Sequence, residues 1–190
     1  MKKLNLFFTL LIGLTILSCS SDDDNGNQTD VSGELIVNGQ SFELTKGYII
    51  PNTPQSDPRR FYFSLTNGDM TYENNEFTFS DNITQLIDFN MYSSVEGDGD
   101  IENTTYPIYD FSDPNFDSDN AWIDHSGVNT NVVIENGNYV STNSLSSDDM
   151  DGQATIIINN NDTYTITFSY TNNQNIVSGT FTGPLINLLE

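Results

Sequence analysis

Between residues 163 and 170 the chain runs Thr-Tyr-Thr-Ile-Thr-Phe-Ser-Tyr, with a large side chain at every even position and a small polar one at every odd position. Successive side chains of a β-strand point to opposite faces, so an extended strand lets this run bury one face and wet the other. Residues 154–158 precede it across Asn159-Asn160-Asn161-Asp162, and residues 176–182 follow Asn172-Asn173-Gln174-Asn175. Three sequential strands joined by tight turns make an antiparallel meander. Asn38-Gly39 separates 34–37 from 40–45, and Asn136-Gly137 separates 131–135 from 138–142. This dipeptide readily accepts the positive backbone angles of a tight hairpin. Further strands are expected at 61–65, 76–79 and 85–92, the last setting Ile87, Phe89 and Met91 against Asp88 and Asn90. No window beyond the first 18 residues carries a helical stripe. The expected fold is therefore all-β, an antiparallel β-sandwich of about eight to ten short strands with meander connections. A lipocalin-like β-barrel is the alternative, because a two-residue period does not report whether sheet edges close.

The amino terminus follows a different logic. Met1-Lys2-Lys3 supplies a short positive region, and residues 6–17 form an almost unbroken apolar run. A membrane-spanning helix takes about 20 apolar residues, so this shorter run predicts a cleaved signal peptide over 1–18. It ends in Ile16-Leu17-Ser18-Cys19, which resembles a lipobox, the processing site of bacterial lipoproteins. The resemblance implies cleavage before Cys19 and lipid on its sulfur, the thiolate being the side-chain nucleophile that forms a thioether readily. Cys19 is the single cysteine of the chain, so it has no intramolecular disulfide partner. The following Ser20-Ser21-Asp22-Asp23-Asp24 resembles the surface-export signal of lipoproteins from Bacteroidetes, flavobacteria especially. That resemblance implies a lipid-anchored outer-membrane protein facing the cell exterior. One acyl chain binds a membrane only marginally, whereas the two or three of a mature lipoprotein hold it stably. Residues 19–32 are read as a flexible acidic tether, and 33–190 as a single domain.

A formal charge of −22, more negative still once Lys2 and Lys3 leave with the signal, repels phosphate backbones and excludes nucleic acid as a partner. The ending Gly179-Thr180-Phe181-Thr182-Gly183-Pro184-Leu185, together with Leu44-Thr45-Lys46-Gly47-Tyr48, resembles the small β-rich lipoproteins of Bacteroidetes, most of which have no assigned function. These short pieces lie at the two ends of the domain and carry no catalytic motif.

Catalytic signatures are sparse. One His, His125, stands beside Asp124, and it is read as a surface or loop residue because no G-x-S-x-G elbow accompanies it. One His and a lipidated Cys do not assemble a zinc or transition-metal cluster. Gly97-Asp98-Gly99-Asp100 sits among acids that would repel phosphate. Carboxylate pairs of the kind that hydrolyse glycosides could be drawn from many of the 27 acids, so their abundance points nowhere.

Two acidic stretches suit calcium, a hard cation that prefers carboxylate and amide oxygens. One contributes Asp98, Asp100 and Glu102. The other contributes Asp113, Asn115, Asp117 and Asp119, with Asp124 eleven residues after Asp113, a spacing that partly imitates an EF-hand but lacks its glycine and its closing Glu. Both read first as solvated acidic loops on an acidic protein. Between them lie Tyr109, Phe111, Phe116 and Trp122, which form either a flat binding platform or a plug at the end of the sheets. The expected role is non-catalytic binding of a glycan or protein partner at the cell exterior, with calcium as a possible cofactor. A lipocalin-like carrier would instead line a deep pocket with Tyr164, Ile166, Phe168 and Phe181. A hydrolase would show a cleft with two facing carboxylates, one of them a shifted acid.

Overall fold

A computed structural model describes residues 31–51, 57–109, 114, 116–145 and 150–190. The lipidation and export residues Cys19, Ser20, Ser21, Asp22, Asp23 and Asp24, and the candidate residues Phe111, Asp113 and Asn115, lie outside the described part. Fourteen strands occur among the described residues, more than the eight to ten expected, because several are only two to four residues long. In chain order they are β1 (Ser32–Val37), β2 (Gln40–Glu43), β3 (Lys46–Ile50), β4 (Arg60–Thr66), β5 (Met70–Glu73), β6 (Glu76–Phe79), β7 (Gln85–Tyr92) and β8 (Thr105–Pro107). Then follow β9 (Trp122–Glu135), β10 (Asn138–Leu145), β11 (Met150–Ile158), β12 (Tyr164–Asn172), β13 (Asn175–Gly183) and β14 (Ile186–Asn187).

They form two six-stranded sheets, β2-β1-β13-β12-β11-β8 and β10-β9-β7-β4-β3-β14, with β5 and β6 as a separate hairpin. The expected meander is present: β11 pairs with β12 and β12 with β13, both antiparallel, with Ile156 opposite Ile166 and Ile166 opposite Phe181. The Asn-Gly turns also form as expected, with φ of 52° and 82° at Asn38 and Gly39 and of 54° and 78° at Asn136 and Gly137.

One continuous core fills the space between the sheets. Phe61, Phe63, Leu65, Ile87, Phe89 and Met91 project into it from the second sheet, and Leu35, Ile156, Ile166, Phe168 and Phe181 from the first. Phe63 stacks on Phe89 at 4.7 Å between ring centres, and Phe89 meets Phe168 edge-on at 5.4 Å. Of the residues that would line a carrier's internal pocket, Ile166, Phe168 and Phe181 are at most 1 % exposed and packed into this core, and Tyr164 is partly buried against it.

Backbone hydrogen bonds join the sheets at both sides. At one side the chain passes from β2 into β3 with a single change of partner: Leu44 N–H donates to Gly33 O and Thr45 N–H to Thr66 O, each at 2.9 Å. Gly33 lets the corner close, since a Cβ there would come within 2.8 Å of the Leu44 carbonyl. At the other side Tyr109 N–H donates to Ile123 O at 2.8 Å, and Ile108 bridges Ile123. The molecule is a filled sandwich that borrows the edge joining of a barrel.

Candidate functional site

The site grows from the outward face of the second sheet. In β3, β4 and β7 the residues that alternate with the core set are Tyr48 and Ile50, Tyr62 and Ser64, and Leu86 and Asp88. In β9 two irregularities decide what faces out. Asn90 pairs with His125 and Met91 with Ile123, so Asp124 is an extra residue, a bulge that sets Asp124 and His125 together beside Asn90. Asn90 Nδ2 donates to Asp124 Oδ2 at 2.7 Å and lies 3.4 Å from His125 Nδ1. Asn131 then adopts φ of 51°, after which Val132 and Ile134 join a second apolar cluster instead of the core that holds Val128. His125 is thus a strand residue aimed by a bulge and not a loop residue, and it keeps the partial surface exposure that is the other half of the expectation.

That second cluster unites Tyr48, Met70, Ile83, Leu86, Val132 and Ile134 beneath the β5–β6 hairpin. The hairpin turns at Asn74 and Asn75, with φ of 54° and 66°. It is tied at its root, where Ser80 N–H donates to Asp69 O at 2.8 Å and the neighbouring Phe79 N–H donates to Gly137 O at 3.2 Å. Met70 N–H also donates to the Tyr48 hydroxyl at 3.3 Å.

Between hairpin and sheet lies an open cleft of about 320 Å³. Its floor is Ser64, Leu86, Asp88, His125 and Asn129, and its sides include Phe79 and Leu188. Tyr62, Phe77 and Tyr139 form the rim and remain 36 %, 42 % and 39 % exposed, three large aromatics gathered on one patch of a strongly acidic protein. Phe79 links two of them, at 6.1 Å from Phe77 and 4.6 Å from Tyr139 between ring centres.

Asp88 is the one carboxylate among the described lining residues. Burial pushes its acid up to about 6, against the pull of the nearby His125 and of the Gly127 N–H, which donates to it. Gly127 permits this approach, because a Cβ there would lie 2.9 Å from Asp88 Oδ1. Burial likewise pushes the Tyr139 phenol up to about 12, with the Asp88 charge adding to the effect. Tyr62 is raised by burial while Arg60, whose guanidinium lies 4.7 Å from the centre of its ring, pulls it down.

Of the residues weighed from sequence, His125 lies on the cleft floor and Asp124 beside it, and the other described ones lie elsewhere. Tyr109, Phe116 and Trp122 do come together: Tyr109 meets Phe116 at 3.9 Å and Trp122 at 4.8 Å, and Tyr92 stacks flat on Trp122 at 4.2 Å. They spend much of their surface on one another where β8 meets β9. The acidic stretches also approach each other, with Glu102 and Asp119 lining one open depression. Glu102 accepts from the Ser94 hydroxyl at 2.7 Å and Asp117 from Asp119 N–H at 3.0 Å, and Asp98 occupies a turn at φ of 47°. Asp124 belongs to β9 and the Asn90 network. Among the described residues no three His, Cys, Asp or Glu side chains, Asp100 included, gather as a metal site.

Neither a family model, nor a curated protein, nor a solved structure matches this chain.

Proposed function

We propose that this chain is a lipid-anchored lipoprotein of the outer membrane, exposed at the cell exterior, and that it binds a small ligand in the cleft beneath the β5–β6 hairpin. The address rests on the sequence Ile16-Leu17-Ser18-Cys19 and the acidic run behind it. The binding role rests on one observation: exposed aromatics ring a concave, mostly apolar site whose floor converges a carboxylate, an imidazole and an amide. Ligand sites are typically such concave, largely apolar surfaces with a few fixed polar groups. Binding is favoured over hydrolysis here because glycoside cleavage needs two carboxyls across the scissile bond, and the described lining holds only Asp88.

Thermal unfolding of the full chain in detergent micelles, with a mixed panel of small amines, sugars, carboxylic acids and apolar compounds, tests the cleft. A ligand at a hundredfold excess over its Kd stabilises by about 2.7 kcal/mol. At least one class should stabilise the parent and fail to stabilise Ser64→Phe, which fills the floor. If no compound distinguishes the two proteins, the cleft is not a ligand site.

A further inference from the structure

We propose that the cleft takes a small organic cation, an ammonium carried on or beside an apolar group, with Asp88 as its counter-ion and the rings of Tyr62, Phe77 and Tyr139 as its walls. This inference rests on the reading of the cleft as a ligand site and adds the charge of the occupant.

Asp88 is a carboxylate on the cleft floor with no Lys or Arg beside it; the nearby His125 imidazole also faces Asp124, whose Oδ2 lies 3.5 Å from its Nδ1. The described part of the chain has three Lys and Arg residues, and each is engaged elsewhere. Lys46 pairs with Asp69 at 2.9 Å, Arg59 donates to Ser118 O at 2.8 Å, and Arg60 donates from Nε to Asn90 Oδ1 at 2.8 Å. A buried charge that its neighbours offset only in part is unfavourable, and a bound cation would supply the rest.

Aromatic rings supply the second half of the recognition. A cation within about 6 Å of a ring centre is drawn to the negative face of the π-system. The cleft's own edge already shows such a contact, Arg60 against Tyr62. The charge of −22 also raises the concentration of cations near the surface.

Competing occupants fit less well. A neutral sugar would leave Asp88 uncompensated, and an anion would be repelled by it. Calcium requires six to eight oxygens, whereas the floor adds only the Ser64 hydroxyl and the Asn129 amide to one carboxylate.

The groups facing Asp88 set the pH response. His125, Tyr48, Tyr62 and Tyr139 share the cleft, and Arg60 and Asp124 stand just outside it at the Asn90 network. The tyrosine phenols stay neutral near neutrality, so they add no competing charge. Cation binding is therefore expected to weaken as the pH falls through about 6, where Asp88 takes up its proton.

The test is a calorimetric titration of the full chain in detergent at pH 8 with two probes of the same shape, choline and its neutral carbon isostere 3,3-dimethylbutan-1-ol. Choline should bind at least tenfold tighter to the parent, and Asp88→Asn should erase the difference while leaving the neutral probe unchanged. Gly127→Ala displaces the carboxylate without removing it and should lower the preference, which keeps the test decisive if the Asn variant does not fold. Equal binding of both probes by the parent overturns the cation assignment but leaves a ligand cleft intact. A choline preference that survives in Asp88→Asn overturns it as well, the attraction then belonging to the acidic surface at large. Absence of binding by either probe also overturns it, and the Ser64→Phe comparison then decides separately whether the cleft binds anything.

Discussion

Replacing Asp88 by Asn separates the electrostatic part of the cleft from its shape. The amide keeps the size of the carboxyl and an oxygen for the Gly127 N–H, and it removes the charge. In the folded chain burial holds the Asp88 acid near 6, whereas in the unfolded chain it returns to its ordinary 3.8. Between those values the folded state holds a proton that the unfolded state has released. This group accordingly favours folding at low pH, and its contribution turns unfavourable as the pH rises through that window. Moving a carboxyl from 3.8 to about 6 is worth at most about 3 kcal/mol, fully expressed above the folded value.

Urea unfolding of parent and Asp88→Asn at pH 4, 6 and 8 measures this directly, because taking the difference cancels the other acids. The two proteins should be nearly equal at pH 4, and the Asn variant should be more stable by about 2–3 kcal/mol at pH 8, with the same denaturant slope. A difference that does not change with pH, or an Asn variant that is weaker at pH 8, would refute the claim that Asp88 is held in the cleft at an electrostatic cost. A stabilised variant that has lost its ligand would show the usual exchange of stability for function at a binding site.

Other consequences follow from the packing and the address. Gly179→Ala should lower stability by about 1–3 kcal/mol in urea unfolding, since a methyl there overlaps the Glu34 carbonyl and the Phe168 ring; an unchanged midpoint would mean that β1 and β12 are not packed this closely on β13. The buried Ser126 and Tyr170 hydroxyls bond at 2.9 Å, so Ser126→Ala and Tyr170→Phe should each cost about 1–3 kcal/mol, and the double variant less than their sum. Additive losses in that cycle would dissolve the pair. Cys19→Ser should abolish lipid attachment and leave the chain larger by the uncleaved signal; a variant that fractionates with membranes at its normal processed size would sink the anchoring proposal.

The sequence announced strands wherever one face is buried and the other wet. In β12 Ile166, Phe168 and Tyr170 are buried while Thr167, Ser169 and Thr171 are exposed, so the two-residue period is unbroken and the strand is plain. Tight turns were equally legible, because Asn-Gly marks the positive φ that a two-residue hairpin demands. The 14-residue β9 was legible only over 131–135, since its bulge at Asp124 and the left-handed Asn131 each change the face that the next side chain takes, and Ser126, Gly127, Asn129 and Thr130 are small or polar on both faces.

The cleft was hidden for a related reason. Asp88 looks like an ordinary solvent-facing polar residue of β7 until the hairpin is known to lie over that side of the sheet, and only long-range contacts place it there. A signal was nevertheless present. Tyr48-Ile49-Ile50, Leu86-Ile87 and Val132-Val133-Ile134 are apolar at consecutive positions, where a strand with one wet face should alternate. Tyr48, Leu86, Val132 and Ile134 prove to be the residues that hold the second apolar cluster beneath the hairpin. Broken alternation in several strands of one sheet therefore implied that both of its faces are covered. A polar residue such as Asp88 that interrupts the second face is then the place to look for a site, because its burial carries a cost that packing alone does not explain.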